Sequence, residues 1–130
     1  MSGEASIESG RLGRIAVIRL KPNQDLVGGV EAACRDNGMS HAVVRSAVGS
    51  LVDSVLAYGK DGTQREFKGP GIEILTLAGE VRPDSKGLPQ ADLRGTISEP
   101  SAKVHGGGFV RGENPICITL ELVLQEWIPA

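Results

Sequence analysis

The stretch Ile116–Trp127, ICITLELVLQEW, decides the fold class. Ile116, Ile118, Leu120, Leu122 and Leu124 recur at every second position, while Thr119, Glu121 and Gln125 occupy alternate ones. A period of two sends successive side chains to opposite faces of a pleated strand, so this segment predicts a strand with one face on a core and a semi-polar second face. Upstream, Ile72–Val81 (IEILTLAGEV) puts Ile72, Ile74, Leu75 and Leu77 on both faces, as in a central strand. Further out, RIAVIRL from Arg14 reads as a first strand stopped by Lys21-Pro22. The run His41–Tyr58 reads as two aliphatic strands broken at Gly49-Ser50, with a turn at Lys60-Asp61-Gly62. GPG at Gly69–Gly71 reads as a loop, and Arg82–Gln90, with Pro83, Gly87 and Pro89, as the longest loop. ADLRGTIS then resumes the alternation, and GGGFV follows a further turn.

One helix interrupts the strands. Leu26, Val30, Ala33 and Cys34 fall at i, i+4, i+7 and i+8, an apolar stripe on one helical face. Asn23 is placed to cap it, Asp25 to complement the positive end of its dipole, and Gly38 to end it. Gly28-Gly29 inside it costs about 1 kcal/mol per residue relative to alanine, which predicts close packing against that turn. Seven or so mostly antiparallel strands with one main helix predict an α+β domain; helical patterns do not alternate with strands, which disfavours a doubly wound parallel fold.

The chain has 130 residues, 40% apolar and 23% charged, which fits one ordinary globular domain. The expected division is a flexible arm over residues 1–13 and a single domain over 14–130. No run reaches the roughly 20 apolar residues that span a bilayer, and the N-terminus lacks a basic-then-apolar leader, so a cytoplasmic protein with no membrane partner is expected. Cys34 and Cys117 form no C-x-x-C pair and read as small buried hydrophobes. Lys plus Arg number 14 against 16 Asp plus Glu, a formal charge of -2. Binding to duplex DNA draws on Lys and Arg releasing counterions from phosphate, so this chain would have to segregate its cations onto one face. Only four residues are Phe, Tyr or Trp, too few for base-stacking platforms.

The ordered set of segments resembles the plant and prokaryote conserved (PPC) domain: a strand, KPNQDL into a helix, SAVGSL (Ser46–Leu51), IEILTLAG (Ile72–Gly79), and a Gly-Gly turn before the last strand. The likeness covers roughly Gly13 to Trp127. It implies a seven-stranded α+β domain in a major and a minor sheet, assembled as a homotrimer. Plant members join the domain to an AT-hook for A·T-rich DNA; stand-alone bacterial members carry a DNA-binding label by analogy. R-G-R-P, the core of an AT-hook, is absent here. The resemblance therefore implies a bacterial-type DNA-binding protein whose phosphate contacts would come from Arg11, Arg14, Arg45, Lys103 and Arg111.

Many bacterial members carry a His-x-His pair and a third His after a Gly-Gly turn, a set suited to a divalent metal. In this sequence those positions are Asp92, Arg94 and Gly108. Arg can neither coordinate a metal nor lose its charge, so no metal and no cofactor is expected. Two readings of Arg94 stay open. Gathered near a subunit junction with Glu73, Asp92 and Glu121, it would supply the positive charge of the missing metal or receive a small anionic ligand. Alternatively, Asp92 and Arg94 form an exposed ion pair worth under about 1 kcal/mol. His105, before Gly106–Gly108, either joins that pocket through a register shift or is a locally bonded turn histidine; His41 has no partner spacing. Glu73 and Glu121 lack a neighbouring nucleophile, Ser46 and Ser50 do not make a nucleophile elbow, and GGGFVRG lacks the Gly-Lys-Ser/Thr ending of a phosphate loop. No catalytic residue is expected.

Overall fold

The alternation of the last segment becomes a long strand whose Leu120, Leu122 and Leu124 are fully buried. The structure, a computed structural model, describes residues 3–130, so Met1 and Ser2 of the expected arm lie outside the described residues. The elements are β1 (Gly10–Leu20), α1 (Leu26–Asp36), β2 (Ala42–Tyr58), β3 (Thr63–Pro83), β4 (Pro89–Ser98), β5 (Val104–Phe109) and β6 (Ile116–Pro129). All strand pairs are antiparallel, in the order β1-β6-β2-β3-β4-β5. The far end of β2 also pairs with β5, Leu56 opposite Phe109 and Ala57 opposite Gly108, so β2 to β5 close on themselves. Gly10–Gly13 of the expected arm already belong to β1, where Gly10 pairs with Pro129 and Leu12 with Trp127.

Among the described residues, six strands in one sheet, mostly β with a single short helix, replace the expected seven in two sheets. The difference has a physical cause in the glycines. At Gly49 a Cβ would lie 2.5 Å from the Thr119 carbonyl oxygen, so glycine there admits β6 against an unbroken β2 rather than ending a strand. GPG likewise sits within β3: a Cβ on Gly69 would collide with the Val52 carbonyl, and the Gly69 N–H donates to Asp53 Oδ1 at 3.1 Å. The expected loop over Arg82–Gln90 shrinks to Asp84–Leu88. Its turn is held by Asp84, whose Oδ1 accepts from Lys86 and Leu88 N–H and whose own N–H donates to the Leu88 carbonyl. Ile118 departs from the expected face and is 74% exposed, because the β2–β6 register shifts between Gly49/Leu120 and Leu51/Ile116. Such a bulge turns the residues within it to the other side.

Helix α1 buries Leu26, Val27, Val30 and Cys34 and packs on β4 and β1. Asp25, not Asn23, is its N-cap: Asn23 adopts φ 70° and its N–H donates to the Ile116 carbonyl. Asp25 Oδ2 accepts from the N–H of Gly28 and of Gly112, both 2.9 Å, and Oδ1 from that of Asn114 at 3.0 Å. The helix ends in a Schellman pattern, with Met39 N–H to the Cys34 carbonyl, Gly38 N–H to the Arg35 carbonyl, and Gly38 at φ 64°. No helix among the described residues is long and apolar enough to cross a membrane.

The expected close packing holds at one glycine of the pair. A Cβ on Gly29 would lie 2.9 Å from Leu20 Cδ2, whereas on Gly28 the nearest atom, Asp25 Oδ2, is 3.4 Å away. Gly28→Ala should therefore stabilise the fold by about 0.5–1 kcal/mol through helix propensity. Gly29→Ala should leave a protein at least about 1 kcal/mol less stable than Gly28→Ala, because Leu20 is buried and must repack. Urea unfolding of the two variants checks the order.

Candidate functional site

Residue parity along β4 sorts the candidates. Leu93 and Ile97 are buried, so Asp92, Arg94 and Thr96 look outward from the core. Glu80 pairs with Asp92, Ala78 with Arg94, and Arg94 with Gly108 on β5, so Asp92, Arg94 and Gly108 meet on one face. Val43, Ala78, Gly79, Glu80, Asp92 and Arg94 bound an open depression of about 400 Å³ there. The side chains of Arg94 and Asp92 are 73% and 69% exposed and meet at 3.5 Å (Nε to Oδ1), a loose pair that leaves most of the guanidinium to solvent.

The other pocket candidates lie elsewhere within the chain. His105 pairs with Ile97, on the opposite face from Arg94. Its ring stacks on Phe67 at 4.2 Å, and its Nε2 lies 2.8 Å from Glu99 Oε2. His105 thus takes the locally bonded role. Glu73 pairs with Ser98 and Ser50, seven residues along β3 from Glu80, or roughly 23 Å at strand spacing. Glu121 lies on β6 between Arg19 and Val48, and Arg19 Nε donates to its Oε1 at 3.0 Å.

Two of the five candidate phosphate contacts are neutralised. Arg14 forms a fork with Glu126, Nε to Oε1 and Nη2 to Oε2 both at 3.1 Å, and its remaining N–H groups donate to the carbonyls of Asn37 and Gly38 at the end of α1. The side-chain hydrogen bond from Arg14 holds the Glu126 carboxyl below its ordinary range. Arg111 is bidentate on Glu31, Nε to Oε1 at 3.0 Å and Nη2 to Oε2 at 2.5 Å. Burial alone would raise the Glu31 carboxyl, but the Arg111 hydrogen bonds and the Ala91 N–H hold it below its usual value. Arg11 on β1, Arg45 on β2 and Lys103 in the β4–β5 turn are exposed. They do not gather in one chain: Arg11 lies opposite Ile128, Lys103 beside the Ser98 end of β4.

A metal fits these residues poorly. One carboxylate at Asp92 stands beside a permanent cation at Arg94 and a glycine without a side chain at Gly108, and repulsion from the guanidinium opposes a divalent ion. No group of three or more His, Cys, Asp or Glu among the described residues is arranged to hold one. Both cysteines are free; Cys34 is buried, and burial pushes its thiol up to about 11, which makes it a poor nucleophile at neutral pH. Sequence spacing missed a further cluster, Glu8, Arg82 and Trp127 around His41, because its members lie up to 119 positions apart and meet only through strand pairing.

A family model described as the Plants and Prokaryotes Conserved (PCC) domain matches residues 7–128. The chain is 32% identical over 113 residues to the bifunctional protein GlmU of Synechococcus sp. strain JA-3-3Ab, an alignment over 87% of this chain. It spans 17% of the length of the curated relatives it matches. A plant- and prokaryote-conserved protein from Pyrococcus horikoshii superposes with a TM-score of 0.83 at 21% identity, covering 95% of this chain and 85% of that one. A metal-containing protein from Archaeoglobus fulgidus gives 0.81 at 21% identity, over 96% and 87%. A proposed DNA-binding protein from Bacteroides thetaiotaomicron gives 0.76 at 15%, over 93% and 84%. At these identities the structural likeness is one of fold.

The shared face of Asp92, Arg94 and Gly108 yields a direct test. A Cβ on Gly108 would find its nearest neighbours at 3.9 and 4.0 Å, so a side chain fits there. The triple substitution Asp92→His, Arg94→His and Gly108→His should create stoichiometric zinc binding by titration calorimetry, whereas the unaltered chain, prepared without a histidine tag, should retain none by elemental analysis.

Proposed function

This chain belongs to the Plants and Prokaryotes Conserved domain family, and from that premise we propose that it is a small cytoplasmic homotrimer of the bacterial type that binds duplex DNA through phosphate contacts. Assembly rests on one observation. Ile15 and Val17 on β1, Ile118 on β6, Val48 on β2 and Leu75 on β3 are 49–74% exposed, on four strands adjacent in the sheet. An apolar face spread over neighbouring strands of a 13.6 kDa chain is the kind of surface that subunit contact removes from water. Light scattering should give the mass of three chains, and Val48→Asp should shift it toward one chain while the fold persists by circular dichroism. A monomeric unaltered protein would sink the assembly.

The DNA reading is supported by family membership and by the Bacteroides fold relative. The proposed contacts narrow to Arg11, Arg45 and Lys103, since Arg14 and Arg111 already face carboxylates. Three cations per chain in a trimer limit the salt response: log K against log salt should have a slope no steeper than about −8, at about −0.9 per phosphate neutralised.

A second reading, a small anionic ligand bound at a subunit junction through Arg94, is favoured by the depression beside that exposed and loosely paired guanidinium. In the same titrations Arg94→Ala should leave the DNA salt slope unchanged if phosphate contacts run through the other three residues. It should reduce the shift in melting temperature produced by small organic anions if the second reading is right.

A further inference from the structure

A carboxylate is held near the Pro83 end of β3 by groups from two strands far from it in sequence. Glu8, in the segment before β1, accepts the Trp127 indole N–H on Oε1 at 2.9 Å and an Arg82 N–H on Oε2 at 3.3 Å. Arg82 stands at the end of β3 and Trp127 near the end of β6, and the Trp127 backbone N–H donates to the His41 carbonyl at 3.0 Å. The Trp127 hydrogen bond first, then that of Arg82, keeps the Glu8 carboxyl below its ordinary range, so the tethered group is a carboxylate anion at neutral pH.

Beneath it lies a cavity of about 220 Å³, with His41, Glu80, Arg82, Trp127 and Glu8 among its walls. That volume is worth about seven waters at roughly 30 Å³ each. His41 Nε2 is buried and has no hydrogen-bond partner, the one such side-chain atom among the described residues. Buried polar groups are ordinarily paired, and an unpaired one in the wall of a polar cavity points to an absent partner. Glu80 Oε1 already accepts from Arg82 Nε at 2.8 Å, so the half of the guanidinium that faces Glu8 is the half an added anion would engage.

We propose that Arg82, the Trp127 indole and His41 form a binding site for a small organic carboxylate, and that Glu8 occupies its anion position as a tethered stand-in. The site shares the walls Val43 and Glu80 with the depression beside Arg94, but its own donors, Arg82, Trp127 and His41, all come from one chain. Glu8 competes with free ligand as an intramolecular carboxylate, and removing it opens the position at little structural cost because Glu8 is half-exposed.

Trp127 is the only tryptophan in the chain, so its fluorescence reports this site alone. Acetate titrated into Glu8→Ala at constant ionic strength should produce a saturable change in that fluorescence, with an apparent affinity on the order of tenfold above the unaltered protein. Acetate should also raise the melting temperature of Glu8→Ala, and chloride should not. Adding Arg82→Gln should remove the response. Equal affinities in the two proteins, no saturable response in Glu8→Ala, an equal effect of chloride, or a response that survives in the doubly substituted protein would each overturn the proposal.

Discussion

The carboxylate of Asp25 is the interaction on which the arrangement of helix and sheet depends. It accepts N–H groups from the first turn of α1 and from Gly112 and Asn114, which precede β6. Asn114 continues the linkage: its Oδ1 accepts from Ser54 Oγ at 2.6 Å and Val55 N–H at 3.2 Å, and its Nδ2 donates to the carbonyls of Val55 and Val110. Asn114 and Ser54 are fully buried, so each partner left unpaired would cost about 1–3 kcal/mol. The Leu26 N–H and the Asn114 carbonyl close the same junction. One acidic side chain thus fixes the helix start against the point where β2 leaves β6 and takes up β5.

From that point the sheet's long strands separate faces that carry different chemistry. β2 and β3 run 17 and 21 residues, long enough to serve an open apolar face at one end and a closed group of strands at the other. The bulge opposite Gly49 turns Ile118 outward beside Val48, enlarging the apolar face without loss from the core, where Ile116 and Leu120 stay buried. On β4 the alternation keeps Arg94 and His105's partner Ile97 on opposite sides, so Arg94 and His105 do not meet on one face of the chain.

Charge is organised by the same pairing. A formal charge of -2 said little about where cations stand. Arg14 is bound into the end of α1, and Arg111 ties the loop between β5 and β6 to α1 through Glu31, so both link the helix to the sheet and its loops. Their carboxylate partners are held below the ordinary range, which keeps those ties intact through neutral pH and weakens them only as acid protonates Glu126 and Glu31.

By itself the sequence determined where strands and the single helix lie and that Leu26, Val30 and Cys34 are buried, because periods of two and 3.6 are local patterns; the bulge that turns Ile118 outward depends on the neighbouring strand. The chemistry of Asp92 and Arg94, one carboxylate beside a permanent cation, was legible too, since donor character belongs to residue type. The glycines were legible only as punctuation: whether Gly49 and Gly69 break a strand or admit a neighbouring backbone depends on what lies within a few ångströms of them. Ion pairs such as Arg14–Glu126, and the cavity that joins Glu8, His41, Arg82 and Trp127, link residues as far apart as 119 positions. Only the antiparallel register brings those side chains together, so the tertiary structure alone decided which charges are spent on the fold and which remain free to meet a ligand.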